Sequence, residues 1–347
     1  MSLRVINRRS WISTISVILS AHPLISGFAW AESPPIASVA ATLRPLEPDQ
    51  PDPLVTAMAI DPAGMTLAVA GDDKTIRILR ATDLAELAVL KGHRDLIRTL
   101  HYRADGKILL SSGNDGQLIL WDRSQDYRQV GMVDDLPAVW SARFSPDGKQ
   151  IAAVGFGSSV MLLGRSSDRL TLRCDCGDLR ACAYDRTGKQ LAVVGRSGHV
   201  HLYDPQEKHL VDEFALHAGR IRDCQFTSDG THLVTVGEDG AAILFSLKQA
   251  EVIRRIELLP CKLFSLAIID DRRAAVAGSD NRIRIVDFET GLVLTHLDGH
   301  RGSISTLVYA NGSLFSGGFD ATLRRWPIAL DGGERLAEKD SPQLPPK

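Results

Sequence analysis

The sequence predicts an all-β chain. It reads as a seven-bladed β-propeller of four-stranded antiparallel blades, its ring closed by an N-terminal strand. Three registers, kept in phase seven times, carry that expectation. A glycine recurs after a short apolar run at Gly71, Gly113, Gly155, Gly195, Gly237, Gly278 and Gly318, at intervals of 42, 42, 40, 42, 41 and 40 residues. Eight residues later stands a bulky apolar residue: Leu79, Trp121, Leu163, Tyr203, Phe245, Val286 and Trp326. A third register closes an earlier strand at Ile60, Tyr102, Phe144, Tyr184, Phe226, Ile268 and Tyr309. Short strands at this period, with no helical pattern between them, are the mark of propeller blades.

Each unit divides into four strands. In the second, strands are expected over Ile97–Tyr102, Ile108–Ser111, Leu118–Trp121 and Gln129–Val133, with Ala104-Asp105-Gly106 and Gly113-Asn114-Asp115-Gly116 as turns. Ser145-Pro146-Asp147-Gly148 places Pro and Gly where a type I turn prefers them. The seventh unit, Ile304 to Ile328, has no fourth strand, while Ser38 to Leu43 is an apolar orphan ahead of a Pro-rich loop. That orphan can supply the missing outer strand and cover an edge that would otherwise invite aggregation. The expected layout is a signal peptide (1–31), an N-terminal segment (32–54) with the closing strand at 38–43, seven repeats (55–328) and a disordered Pro-rich tail (329–347).

The units resemble WD repeats. Gly92-His93 and Gly299-His300 match the Gly-His pair of that family, Trp121-Asp122 matches its Trp-Asp pair, and Tyr203-Asp204 is a softened version. Asp73, Asp115, Asp239, Asp280 and Asp320 hold the turn position two residues after the repeated glycine, where the third and fourth units have Gly157 and Ser197. The resemblance covers roughly residues 38–328 and implies the propeller fold; it says little about function. It also implies two buried polar networks, His93, Ser111, Asp115 and Trp121, and His300, Ser316, Asp320 and Trp326. In the fifth unit His217, Thr235 and Asp239 persist, but Phe245 replaces the tryptophan. These sets look like a catalytic triad, but recurrence at repeat spacing makes them structural: such groups saturate one another when buried.

Composition narrows the function. A net charge of −2 argues against bulk nucleic-acid binding, which needs a basic surface. Arg4, Arg8 and Arg9 precede a moderately apolar stretch from Trp11 to Phe28, and Ala29-Trp30-Ala31 offers small residues for cleavage. That is the layout of a secretory signal. Arg8-Arg9-Ser10-Trp11-Ile12 also resembles a twin-arginine signal. His22 and Pro23 interrupt the run, so no stable membrane span is expected after signal removal. The location expected from these residues is periplasmic or secreted.

No enzyme motif emerges: there is no phosphate-binding glycine loop, metalloprotease His-Glu pair or Cys-x-x-Cys-His. No catalytic residue, cofactor or metal site is therefore expected. His199-x-His201 puts two imidazoles on one strand face but lacks a nearby third ligand. Cys174-x-Cys176 is a poor candidate for a mutual disulfide, whose geometry is demanding, and Cys176 with Cys182 is an alternative. Cys182 and Cys224 fall at a core position of the repeat, as small hydrophobes would.

The surface is more informative. Residues four before the strand-end register, expected near the channel mouth, are Thr56, Arg98, Trp140, Arg180, Arg222, Phe264 and Ser305. Those just before the turn position, on the same face, include Phe156, Arg196 and Phe319. Arginine and large aromatics dominate binding hot spots. Arg98, Trp140, Phe156, Arg180, Arg196, Arg222, Phe264 and Phe319 are thus the candidate contact residues for a protein partner, its identity open. In the competing reading the aromatics plug the channel and the arginines pair with Asp95, Asp178 and Glu238. Two further function classes stand beside an extracytoplasmic binding scaffold: a propeller hydrolase or quinoprotein-like protein, and a spacer subunit of an envelope or redox assembly.

Overall fold

The computed structural model describes residues 36–164, 169–174 and 176–328. The expected signal peptide and tail lie outside the described residues. Seven four-stranded antiparallel sheets form, six of them ordered from inner to outer strand along the sequence and the seventh taking its outer strand from the N-terminal segment. The inner strands are Val55–Ile60, Ile97–Tyr102, Val139–Phe144, Leu179–Tyr184, Ile221–Phe226, Leu263–Ile268 and Ile304–Ala310, which number blades 1 to 7. Each contacts the next, and the last contacts the first, so the ring is closed.

Closure uses the N-terminal orphan. Val39–Thr42 pairs antiparallel with Thr322–Pro327 of blade 7, Val39 opposite Arg325 and Thr42 opposite Thr322. Its continuation is anchored by Leu43, whose N–H donates to the Ala321 carbonyl at 3.0 Å and whose side chain is buried against Phe315 and Leu323.

The core lies between blades. One apolar cluster joins Ala68, Ile76 and Ile78 of blade 1 to Leu109, Ile119 and Trp121 of blade 2. The two middle strands of a blade face neighbours on both sides and read as continuous apolar runs, such as Leu67-Ala68-Val69-Ala70, fully buried. Outer strands face water on one side, and His209–Ala215 is almost wholly exposed. This is why the second and third strands carry the sequence periodicity and the outer ones hardly do.

One local device repeats in every blade. The first residue of each inner strand sits opposite the repeated glycine, and the pairing then slips by one residue. The residue left over is Thr56, Arg98, Trp140, Arg180, Arg222, Phe264 or Ser305. A bulge of this kind frees one residue from the ladder and re-aims its side chain. The glycine is required because backbone passes close by. A Cβ at Gly113, Gly155, Gly195 or Gly278 would lie 2.2, 2.0, 2.5 or 1.8 Å from a carbonyl oxygen of the strand entering the bulge. Gly278→Ala is therefore expected to destabilise the chain by about 1–3 kcal/mol, the usual cost of overpacking. Gly157→Ala, with nothing within 4 Å of its added carbon, should be nearly neutral. Urea unfolding of the two variants checks this; equal midpoints would show that the bulge yields freely.

Candidate functional site: the arginine-aromatic mouth

The structure brings both four-residue polar sets together. In blade 2, His93 Nδ1 lies 2.8 Å from Asp115 Oδ2, Nε2 lies 2.7 Å from Ser111 Oγ, and Trp121 Nε1 donates to Ser111 Oγ at 2.8 Å. One proton arrangement satisfies the chain: Nδ1–H donates to the carboxylate, Ser111 donates to Nε2, and the indole donates to Ser111. Asp115 also accepts from the Arg94 and Gln117 N–H groups. His300, Ser316, Asp320 and Trp326 repeat the pattern in blade 7, at 3.1 Å for His300 to Asp320, 2.7 Å for His300 to Ser316 and 2.9 Å for Trp326 to Ser316. In blade 5, His217 holds Asp239 and Thr235, and Arg255 donates to the carboxylate at 2.9 Å.

Burial lowers the His93 and His300 pKa values against the pull of their aspartates. Asp320 is pushed up by burial, but the Arg301 N–H, the Thr322 hydroxyl and His300 bring it down to about 2. Both shifts are depressions relative to the unfolded chain. Their stabilisation is present above the unfolded pKa values, about 6.5 for imidazole and about 3.9 for aspartate. It is lost as pH falls through the folded ones. The melting temperature should therefore decline as pH drops below about 6.5 and again below about 4, the second decline smaller in Asp320→Asn. A melting temperature flat across that range would contradict the assignment.

The bulges aim their side chains into one mouth of the channel. Arg98, Trp140, Arg180, Arg222, Phe264 and Phe319 line a cavity of about 130 Å³ there. The guanidinium carbons of Arg98, Arg180 and Arg222 lie 4.1, 3.8 and 5.4 Å from the Trp140 ring centroid. Arg222 is also 5.0 Å from Phe264, and Phe156 meets Trp140 edge-on at 5.4 Å. Phe156 and Phe319 are exposed at 47% and 48%. Arg196 is exposed but does not line the cavity.

Charge pairing is partial. Arg180 is buried and paired with Asp178, and Arg222 reaches Glu238 at 3.5 Å. Arg98 donates to Asn114 at 3.0 Å, while an Asp95 carboxylate oxygen accepts the adjacent Leu96 N–H. Burial, with Arg180 and Arg222 nearby, pushes the Arg98 pKa down to about 10, and burial lowers Arg180 and Arg222 as well. The mouth is a desolvated cluster of like charges held around one indole.

Three residues escaped the sequence reading. Arg220 bridges Asp178 at 2.7 Å and Glu238 at 2.9 Å. Arg143 and Asp223 line the cavity farther along the inner strands. Asp223 is half-buried, desolvation raises its pKa, and it accepts from the Leu266 and Cys224 N–H groups. They sit off both repeat registers that mark the mouth, and charge is their only signal in the sequence. The opposite mouth opens into a larger cavity of about 570 Å³, lined by the strand-end residues Tyr102, Phe144, Tyr184, Phe226 and Tyr309.

The cysteines require two corrections. Cys174 and Cys176 are joined to each other, not to Cys182. Their Cα atoms lie 5.1 Å apart, inside the bridging range. Cys182 and Cys224 are buried among apolar side chains as expected. His201 does have neighbouring ligands, the two joined cysteines, which belong to the preceding blade. Linear spacing could not show a cluster made across blades.

Bulged inner strands, a closed ring and a channel define the molecule as a seven-bladed β-propeller. The WD domain, G-beta repeat family model matches residues 46–79, 84–122, 208–246 and 291–327. The chain is 35% identical over 158 residues to the THO complex subunit 6 homolog of Danio rerio, covering 45% of this chain and 48% of that protein. It is 36% identical over 110 residues to Cilia- and flagella-associated protein 57 of Mus musculus, covering 32% of this chain and 9% of that protein. The chain thus spans about half or less of these curated relatives. Among solved structures, the Cps50 (Swd1) β-propeller domain of Myceliophteria thermophila superposes with a TM-score of 0.73 at 19% identity, over 84% of this chain and 100% of that one. Four of the seven units thus match the WD-repeat family model, and these matches support a WD-repeat β-propeller.

Propellers of this family are typically protein-interaction scaffolds and generally not enzymes. The likenesses also correct the expected location. The proteins it resembles include a THO complex subunit homologue and a Swd1 propeller, both from eukaryotes. A periplasmic or secreted location, read from an arginine-led apolar stretch, is therefore withdrawn. Among the described residues no helix is long and apolar enough to cross a membrane.

Proposed function

We propose that the chain docks a protein partner by taking an acidic segment into the arginine-aromatic mouth. The observation that carries this is the convergence of Arg98, Arg180 and Arg222 on Trp140. Each cation is partly desolvated and repelled by the others, so an incoming carboxylate relieves more repulsion here than at an isolated surface arginine. At about 130 Å³ the cavity is well below the roughly 300 Å³ at which small-molecule sites begin, which favours contact with a protein surface. The exposed Phe156 and Phe319 supply apolar contact at the rim. Trp140 acts as the plate on which the arginines rest. Arg180, committed to Asp178, sets their position, and Arg98 and Arg222 are left to meet the ligand. A hydrolase or quinoprotein would need converging imidazoles or carboxylates, where this mouth offers guanidiniums. A pure spacer leaves the two exposed phenylalanines without a role.

The test uses a labelled peptide with glutamates interspersed among apolar residues, and the same peptide with glutamine in their place. The glutamate peptide should bind, more weakly as salt rises. Arg98→Glu with Arg222→Glu should lower its affinity at least tenfold while the circular dichroism melt is unchanged. The corresponding Arg→Gln pair, safer for folding, should show a smaller loss. Equal binding of the two peptides, or binding indifferent to the substitutions, would sink the proposal.

A further inference from the structure

The outer strand of blade 3, Arg169–Arg173, runs directly into Cys174. The third strand of blade 4, His199–Asp204, carries His201. Cys174, Cys176 and His201 are all buried, at 5%, 7% and 4% exposure. Their two sulfurs and an imidazole nitrogen lie within 4.8 Å of one another. The two cysteines are embedded in apolar surroundings that include Leu172, Leu179 and Val193. From the outer strand of blade 4, Glu213 faces both histidines: Oε2 lies 3.7 Å from His201 Nδ1, and Oε1 lies 2.5 Å from His199 Nδ1. At 3.7 Å Glu213 is beyond hydrogen-bond reach of His201, but its charge favours the imidazole proton on Nδ1 and leaves Nε2 as the ligand nitrogen.

We propose that Cys174, Cys176 and His201 form a redox-gated zinc site. Oxidised, the two sulfurs are a disulfide, as found here. Reduced, they bind Zn²⁺ together with His201. Two thiolates and one imidazole are ligand types zinc favours. Two thiolates also neutralise the dication, which lets it sit where an unpaired charge would be costly. Three protein ligands leave one position of a tetrahedron for water. The conversion balances with a thiol reductant: two RSH reduce the disulfide to two cysteine thiols and leave as RSSR. Zn²⁺ then binds as the two thiols release two protons. Glu213 is a positioning residue, acting on the metal through His201.

The experiment uses the full chain, reduced with a phosphine under argon, titrated with Zn²⁺ and separately with Co²⁺. One Zn²⁺ per chain should survive gel filtration, and the Co²⁺ form should show thiolate-to-cobalt charge-transfer bands. Zn²⁺ should also protect Cys174 and Cys176 from alkylation in the unsubstituted chain, a readout that no folding defect can imitate. Cys174→Ser, Cys176→Ser and His201→Gln should abolish retention, and Cys182→Ser should keep it. Glu213→Gln should weaken binding by roughly 10–100-fold. The proposal fails if the reduced chain retains no zinc or if cobalt gives no thiolate bands. It fails equally if Cys174→Ser binds as the unsubstituted chain does, or if the disulfide resists reduction in the folded protein.

Discussion

Removing residues 36–44 should lower the melting temperature by several degrees or more and promote self-association. The segment contributes at three levels. Its strand, Val39–Thr42, pairs four residues along Thr322–Pro327, and without it that edge of blade 7 presents unpaired backbone groups. Such an edge is a template for pairing with another chain. Leu43 is 4% exposed, and losing a fully buried leucine removes about 1.5–3 kcal/mol of apolar burial. The segment also serves a buried cation: Arg77, 1% exposed, donates from Nη2 to the Arg44 carbonyl at 2.7 Å and to Asp73 at 2.7 Å. Deletion leaves Arg77 with fewer acceptors in a place water does not reach. Differential scanning fluorimetry and light scattering on the truncated chain measure both effects. A truncated chain that melts and scatters like the intact one would show that ring closure does not depend on this strand.

How much of this could be read beforehand depends on whether a feature repeats. The blades were legible because glycine, bulky apolar residue and strand end each recur at backbone positions with fixed demands. In blades 2, 3, 4 and 6 the glycine faces a carbonyl oxygen, at 2.2 Å from a would-be Cβ in blade 2, so no other residue fits there without movement. The closing strand was legible by subtraction, from a unit with three strands and an apolar remnant elsewhere. The mouth was half legible. The register placed Arg98, Trp140, Arg180, Arg222 and Phe264 together, and the bulge explains why that one position turns inward. It could not show that Arg180 is spent on Asp178, or that Arg196 points elsewhere, because those outcomes depend on side-chain packing between blades. The cluster of Cys174, Cys176 and His201 was invisible for a related reason: its members belong to different repeats, and no pattern within one repeat predicts a contact across two.

Asp320→Ala should cost more stability than Asp115→Ala, and it should interact with ring closure. Asp320 accepts from His300, from the Arg301 and Thr322 N–H groups and from the Thr322 hydroxyl. Asp115 accepts from His93 and from the Arg94 and Gln117 N–H groups. Each buried donor left unsatisfied costs roughly 1–3 kcal/mol, less where water can enter. Removing Asp320 therefore strands one donor more than removing Asp115 does. Thr322 is also the residue paired with Thr42, so the turn that Asp320 organises is the end of the ladder holding the closing strand. Loss of Asp320 should loosen that ladder, and a chain already lacking residues 36–44 should have less left to lose. The double variant should accordingly lose less stability than Asp320→Ala and the deletion lose in sum. Asp115→Ala, in blade 2 and sharing no hydrogen-bond partner with the closing strand, should add to the deletion within about 0.5 kcal/mol. Urea unfolding of the three single and two double variants supplies the comparison. Strict additivity for Asp320 would separate the network from closure, and a fully stable Asp320→Ala would remove its structural role altogether.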